Sequence, residues 1–180
     1  MSNSLDIGAL VKANALAYQL PPQLVIGVIA VESGGDVYAW NPEPKYRYFW
    51  NVKRNSPFRK VTSAEIDSKV PPRDFPALAG DRDQEWWGQQ ASWGLMQLMG
   101  AVARERGFKG KYLPEICTPE INIQLGCAHL AQYKRRYFDQ YGWPGVCRAF
   151  NGGGYAAKNN TNPEYPKKVL AAIGGEWPSV

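Results

Sequence analysis

The chain has 180 residues, enough to bury one core, and its 44% hydrophobic and 21% charged content is that of a globular protein rather than a disordered one. A net charge of +5 favours polyanionic partners such as nucleic acid, anionic lipid or cell wall, and decides no more than that. Stable membrane insertion is not expected, because no stretch reaches the roughly 18 apolar residues that span a bilayer, and the longest apolar run, Leu24 to Val31, contains Gly27.

Leu5, Leu10, Val11 and Leu16 recur at helical spacing and predict a first helix from Leu5 to Tyr18. The same segment lacks the basic flank, apolar core and cleavage site of a secretory signal, so synthesis in the cytoplasm without a signal peptide is the expectation. Pro21-Pro22 ends that helix and opens another, about Pro22 to Ser33, which Gly34-Gly35 stops. On it Val25, Val28, Ile29 and Glu32 share one face. From about residue 40 to 91, prolines, aromatics and charges alternate without a period. One short helix is predicted near Ser63 to Ser68, with Ser63 as its cap and Ile66 facing inward. The remainder reads as a long insertion, functional as loops of that length usually are, within a single domain spanning residues 1–180. Its Tyr46, Tyr48, Trp50, Trp86 and Trp87 suit either a ligand-stacking lid or a small satellite core.

Helical signals return at Trp93 to Arg106, Pro119 to Gln140 and Gly145 to Phe150, with Gly107 and Gly142 marking ends. Gly152-Gly153-Gly154 predicts a turn, and a last helix, about Glu164 to Ile173, stops at Gly174-Gly175. The fold class is therefore mainly α, with any strands confined to the insertion. Positive charge gathers at Lys134-Arg135-Arg136 and between Lys158 and Lys168, a pattern that fits a solvated face as well as a binding patch.

The three cysteines, Cys117, Cys127 and Cys147, have neither disulfide-scaffold nor zinc spacing and read as buried thiols, with a Cys127–Cys147 bridge as the alternative. His129 is the single histidine, which excludes sites needing two, and no nucleophile motif accompanies it. Neither metal nor cofactor is expected. Glu32 is the residue out of place. A carboxylate on an apolar face at a helix C-terminus is pushed toward its neutral form by burial and by the helix dipole alike. A carboxylic acid kept protonated near neutral pH suits general-acid catalysis, whereas a buried Glu bonded to backbone or arginine is the structural reading.

Glu32-Ser33-Gly34-Gly35-Asp36, Gly94-Leu95-Met96-Gln97-Leu98-Met99 and Arg148-Ala149-Phe150-Asn151-Gly152-Gly153 occur in that order. Asn122-Ile123 with Gly126 and Leu130 stands before the third, and Tyr165 with Lys168-Val169 follows it. Together they resemble the soluble lytic transglycosylases of the lysozyme superfamily, relatives of goose-type lysozyme, over about residues 10–173 apart from the insertion. The resemblance implies a lysozyme-like fold, peptidoglycan glycan strands as substrate, and Glu32 as the catalytic acid and base. It also places Ser33, Ser92, Gln97, Met99, Phe150, Asn151 and Tyr165 along the substrate, with Asp36 as a structural turn residue. Gln97 offers a donor and an acceptor for an N-acetyl amide or hydroxyl, and Gly94 permits close backbone approach at a helix start.

Two departures matter. The family's Ala-Tyr-Asn tyrosine, which bonds the catalytic Glu, is Phe150 here, so Tyr165, or failing it Tyr155, is expected to supply that hydroxyl. The insertion separates motifs that normally adjoin and brings Asp81, Asp83 and Glu85, in a stretch where goose-type lysozymes carry supporting acids. With Glu32 alone, the expected reaction cleaves the MurNAc-GlcNAc β-1,4 bond and leaves a 1,6-anhydro-MurNAc end. With Asp81 or Asp83 as a second carboxylate, hydrolysis is the alternative. Outside enzymology, the same fold serves as a non-catalytic wall-binding or virion module, and nucleic-acid binding lacks a motif. A basic, leaderless chain of this kind resembles a bacteriophage lysis protein or virion-associated lysin acting on the wall, expected as a monomer.

Overall fold

The computed structural model describes residues 6–179 and is mainly helical. Leu5, predicted to open the first helix, lies outside the described residues. Backbone contacts group the chain into two compact units, one formed by residues up to 35 together with those from 126 onward, the other by residues 36–125.

In the first unit, α1 (Ile7–Ala17) starts at Asp6, whose carboxylate accepts the Ala9 N–H at 3.0 Å. Its core residues are Val11 and Ala15, while Leu16, expected on the apolar face, is 63% exposed. Proline 22 opens α2 (Pro22–Glu32), and Leu24, Val25, Val28 and Ile29 are buried. Gly27 lets α2 approach α7 (Glu164–Ala172), because a Cβ there would meet the Ile173 side chain and lie 3.3 Å from the Val169 carbonyl oxygen. The long α6 (Pro119–Asn159) begins in the second unit and runs into the first. It is broken where glycine alone is at ease, at Gly142 (φ 58°) and Gly153 (φ 73°). Those breaks coincide with the predicted stops, so the helices expected at Pro119–Gln140 and Gly145–Phe150 are successive segments of one interrupted helix.

The second unit corrects several expectations. The helix predicted from Trp93 begins only at α5 (Gly100–Glu105). Before it, β1 (Trp40–Pro42), β4 (Ala91–Trp93) and β5 (Leu98–Met99) form an antiparallel sheet in the order β1-β4-β5, so strands extend beyond the insertion. A smaller pair, β2 (Trp50–Asn51) with β3 (Ser56–Pro57), lies inside it. The short α3 (Ser63–Asp67) is capped by Thr62 rather than Ser63, in a reciprocal box with Glu65, and Ile66 is buried. An unpredicted helix, α4 (Arg82–Gln89), precedes β4. A 3-10 turn, Leu113–Cys117, leads into α6.

The insertion has its own core. Phe49 stacks on Trp86 with centroids 4.0 Å apart, Phe75 meets both edge-on, and Val61 and Ile66 complete the cluster. For Trp86 the satellite-core reading holds, whereas Tyr48 is exposed.

Beside that cluster, the fully buried Arg104 of α5 makes a bidentate pair with Glu85 of α4, Nε to Oε1 at 2.9 Å and Nη2 to Oε2 at 2.8 Å. Its remaining nitrogen, Nη1, donates to the carbonyls of Phe108 (3.0 Å) and Gly110 (2.8 Å). Gln89 extends the network, donating to Glu85 (2.9 Å) and exchanging two hydrogen bonds with the Trp50 backbone. Removing one partner leaves a buried charge without its counterpart, so Arg104→Ala is expected to lower stability by about 3–5 kcal/mol in urea denaturation. A Glu85→Leu/Arg104→Met double variant is expected to recover part of that loss.

Candidate active site

Glu32 is the last residue of α2. The chain leaves the helix through Ser33, whose N–H bonds the Ile29 carbonyl at 3.0 Å and whose Oγ accepts the Gly35 N–H at 3.2 Å. Gly34 (φ 63°) and Gly35 (φ 91°) take left-handed conformations that end the helix directly after Glu32, within one turn of the buried Val28 and Ile29. Asp36 then holds a turn, accepting the Tyr38 N–H at 2.9 Å.

Tyr165, buried in the first turn of α7, donates its hydroxyl to Glu32 Oε1 at 2.6 Å. Two effects oppose each other at Glu32. Burial disfavours its charge and raises its pKa, the hydrogen bond from Tyr165 favours its charge and lowers it, and burial is the larger. The Tyr165 hydroxyl is itself held well above its usual range, by burial first and by the neighbouring carboxylate second. The fold therefore favours protonated Glu32. That contribution to stability is present at low pH and is lost as pH rises through the raised pKa.

Phe150 is half-buried, its ring 5.6 Å from that of His129, and has no hydroxyl to offer the carboxyl. His129 is buried and packs edge-on against Tyr133 at 4.5 Å, as a core histidine does. Asn151 accepts a hydrogen bond from Asn162 at 2.7 Å, and Tyr155 is 71% exposed. Cys127 and Cys147 are buried free thiols pushed up to about 12 by burial, so the alternative of a bridge between them is not what forms.

The second motif lies in the other unit and is a hairpin turn, not a helix start. Gly94 (φ 68°) and Gln97 (φ 45°) are both left-handed, which no helix accommodates. The turn is held from α6 by the buried Asn122, which accepts the Met96 N–H and donates to the Trp93 carbonyl, each at 2.8 Å. A Cβ on Gly94 would sit 2.5 Å from the Asn122 amide nitrogen, so the close approach expected of this glycine is real and its setting is different. Gln97 donates to the carbonyls of Ala39 and Gly94 at 3.0 Å and accepts from the Ser92 hydroxyl at 3.0 Å. Its amide thus locks the hairpin to the backbone that leads into β1. Met99, half-buried, ends β5 and precedes α5.

Of the insertion's acids, Asp81 caps α4 by accepting the Gln84 N–H at 2.7 Å. Asp83 is exposed in the first turn of that helix, and Glu85 is taken up by Arg104. The role of Asn122 was not foreseen. Its sequence signal is an amide between Ile121 and Ile123, since a polar side chain in an apolar stretch needs partners once buried.

Compared with known proteins, residues 9–171 match the family described as the transglycosylase SLT domain. The search of curated proteins found no match. Tyr165→Phe removes a donor that favours ionised Glu32. Its carboxyl carbon, followed by NMR titration, is therefore expected to titrate at higher pH in the variant than in the wild type.

Proposed function

The chain belongs to the transglycosylase SLT domain family, a membership that implies a glycan-cleaving enzyme of the lytic transglycosylase type, and on that premise we propose that it cleaves the MurNAc-GlcNAc β-1,4 bond of peptidoglycan to leave 1,6-anhydro-MurNAc ends. The observation that carries the reading is the Glu32 carboxyl, whose pKa burial raises and to which the Tyr165 hydroxyl donates at 2.6 Å. In the first step Glu32 gives its proton to the glycosidic oxygen as the bond to C1 of MurNAc breaks, releasing the GlcNAc 4-hydroxyl. The N-acetyl oxygen of the same sugar supports the electron-poor C1, in place of an enzymic nucleophile. Glu32, now a carboxylate, takes the proton of the C6 hydroxyl while O6 closes on C1. The acid is regenerated and no water is consumed.

Tyr165 serves both halves of this cycle. It fixes the carboxyl for proton donation and steadies the carboxylate in between, while burial returns Glu32 to its acid form. Ser33, Phe150 and Asn151 of the first unit, and Ser92, Gln97 and Met99 of the second, are the residues that the family resemblance assigns to the glycan. For Gln97 that contact is made by the backbone it orders, because its own amide is already engaged. The one-carboxylate route is favoured over hydrolysis with Asp81 or Asp83, since Asp81 caps α4 and Asp83 is exposed in that helix's first turn.

Muropeptides released from purified peptidoglycan are expected to carry anhydro-muramic ends by mass spectrometry, and Glu32→Gln is expected to release none while keeping its far-UV spectrum. Reducing ends would turn the assignment to a hydrolase, and retained activity in Glu32→Gln would remove Glu32 from the mechanism. Tyr165→Phe is expected to lose about 10- to 100-fold in kcat, the equivalent of one hydrogen bond to a charged group, with the alkaline limb of its pH profile moved upward.

A further inference from the structure

The sheet of the second unit has two faces, and Ser92 and Met99, two of the residues assigned to the glycan, lie on one of them. Ser92 is paired with Asn41 on β1 and Met99 on β5, so these three share a face. Strand alternation sends their neighbours to the other side, where Trp40 is paired with Trp93 and the rings lie 6.1 Å apart, tilted by 41°. On that opposite face the insertion has built something. Trp87 of α4 and Tyr112, at the start of the 3-10 turn, join Trp40 and Trp93 around a cleft of about 370 Å³, with Gln84 and Lys111 also lining it.

Folding alone does not account for this arrangement. Trp40 is 57% exposed, Trp87 41% and Tyr112 40%, in a chain whose Trp86, one residue away, is completely buried. Large aromatic surfaces left open around a concave site are characteristic of ligand recognition. The Trp93 indole N–H is already given to the Gly88 carbonyl at 3.0 Å, which fixes the orientation of its ring. Gly88 is itself required for the cleft's wall, since a Cβ there would lie 2.6 Å from Leu113 Cδ1.

We propose that this cleft is a second saccharide site, which holds an N-acetylhexosamine ring of the glycan strand on the sheet face opposite Ser92 and Met99. Pyranose rings present a flat C–H face that stacks on indole and phenol rings, and their hydroxyl and N-acetyl groups need donors and acceptors at the edge. Gln84 supplies both kinds. Lys111 lies 5.0 Å from the centre of the Tyr112 ring and brings a positive charge, complementary to the lactyl and peptide carboxylates that muramic acid carries. Glu85, which borders the cleft, has its carboxylate bound by Arg104, so it does not repel them. The choice of a glycan rests on the proposed function; the existence of a ring-stacking site rests on the cleft.

The test uses the full-length Glu32→Gln protein, so that no glycan is consumed, labelled with 5-fluorotryptophan and titrated with chitotetraose. The fluorine signals of Trp87 and Trp93, assigned through single Trp→Phe variants, are expected to shift and saturate. In the same background, Trp87→Ala and, separately, Tyr112→Ala are expected to bind purified sacculi about tenfold more weakly, the equivalent of one lost aromatic contact, with circular dichroism unchanged. Indole signals that stay fixed as the oligosaccharide saturates, or sacculus binding unaltered in both folded variants, would overturn the proposal. Product analysis of the wild-type protein separates the two readings. Shifted indole signals without bond cleavage would remove the proposed reaction and leave the site standing, and cleavage with fixed signals would do the reverse.

Discussion

The buried guanidinium of Arg104 is the constraint around which the second unit is organised. A charge so enclosed is tolerated only when it is paired, and every nitrogen of Arg104 is met, by Glu85 twice and by two backbone carbonyls. The network ties separate stretches together: α4 through Glu85, the segment after α5 through Phe108 and Gly110, and, at one remove, β2, through Gln89 bonded to both Glu85 and Trp50. A segment rich in proline and poor in periodicity has few regular backbone bonds with which to define itself. The ion pair supplies the missing definition, and the Phe49–Phe75–Trp86 cluster supplies the apolar burial. The aromatic cleft depends on both, because Trp87 and Gln84 are carried by the helix that Arg104 anchors.

At the other chemical centre the design is a balance rather than an anchor. Burial alone would keep Glu32 neutral and make it a reluctant base. A strong hydrogen bond alone would keep it ionised and make it a poor acid. Tyr165 opposes burial without overcoming it, so the carboxyl's pKa stays raised while its position is fixed by a hydrogen bond. The placement follows from a short piece of chain. An apolar stripe ends at Glu32, and two left-handed glycines turn the backbone away immediately afterwards.

Much of this was legible in the sequence where local chemistry decides the structure. The stripe of Val25, Val28 and Ile29, the stops at Gly34-Gly35 and Gly142, and the family likeness all rest on short-range signals. The replacement hydroxyl at Tyr165 followed from noticing that Phe150 lacks one. What was not legible depends on distant partners. The hairpin at Gly94 to Gln97 has an apolar spacing that passes for a helix, and only the side chain of Asn122, far along the chain, distinguishes it. Likewise Asp81 is a helix cap and Glu85 half of an ion pair, roles invisible until α4 is recognised, and its eight residues hold too few apolar positions to announce a helix. Leu16 faces outward because α1 packs through Val11 and Ala15 instead.

The thiols complete the picture in a different currency, that of redox chemistry. Cysteine reacts as its thiolate, and burial holds Cys127 and Cys147 near 12, so at neutral pH scarcely any of either is ionised. Neither is bridged, and neither is called upon by the fold for anything but volume. Among the described residues the first unit therefore holds no disulfide, and both of these thiols are shielded from an oxidant. Its stability is expected to be the same in a reducing compartment as in an oxidising one.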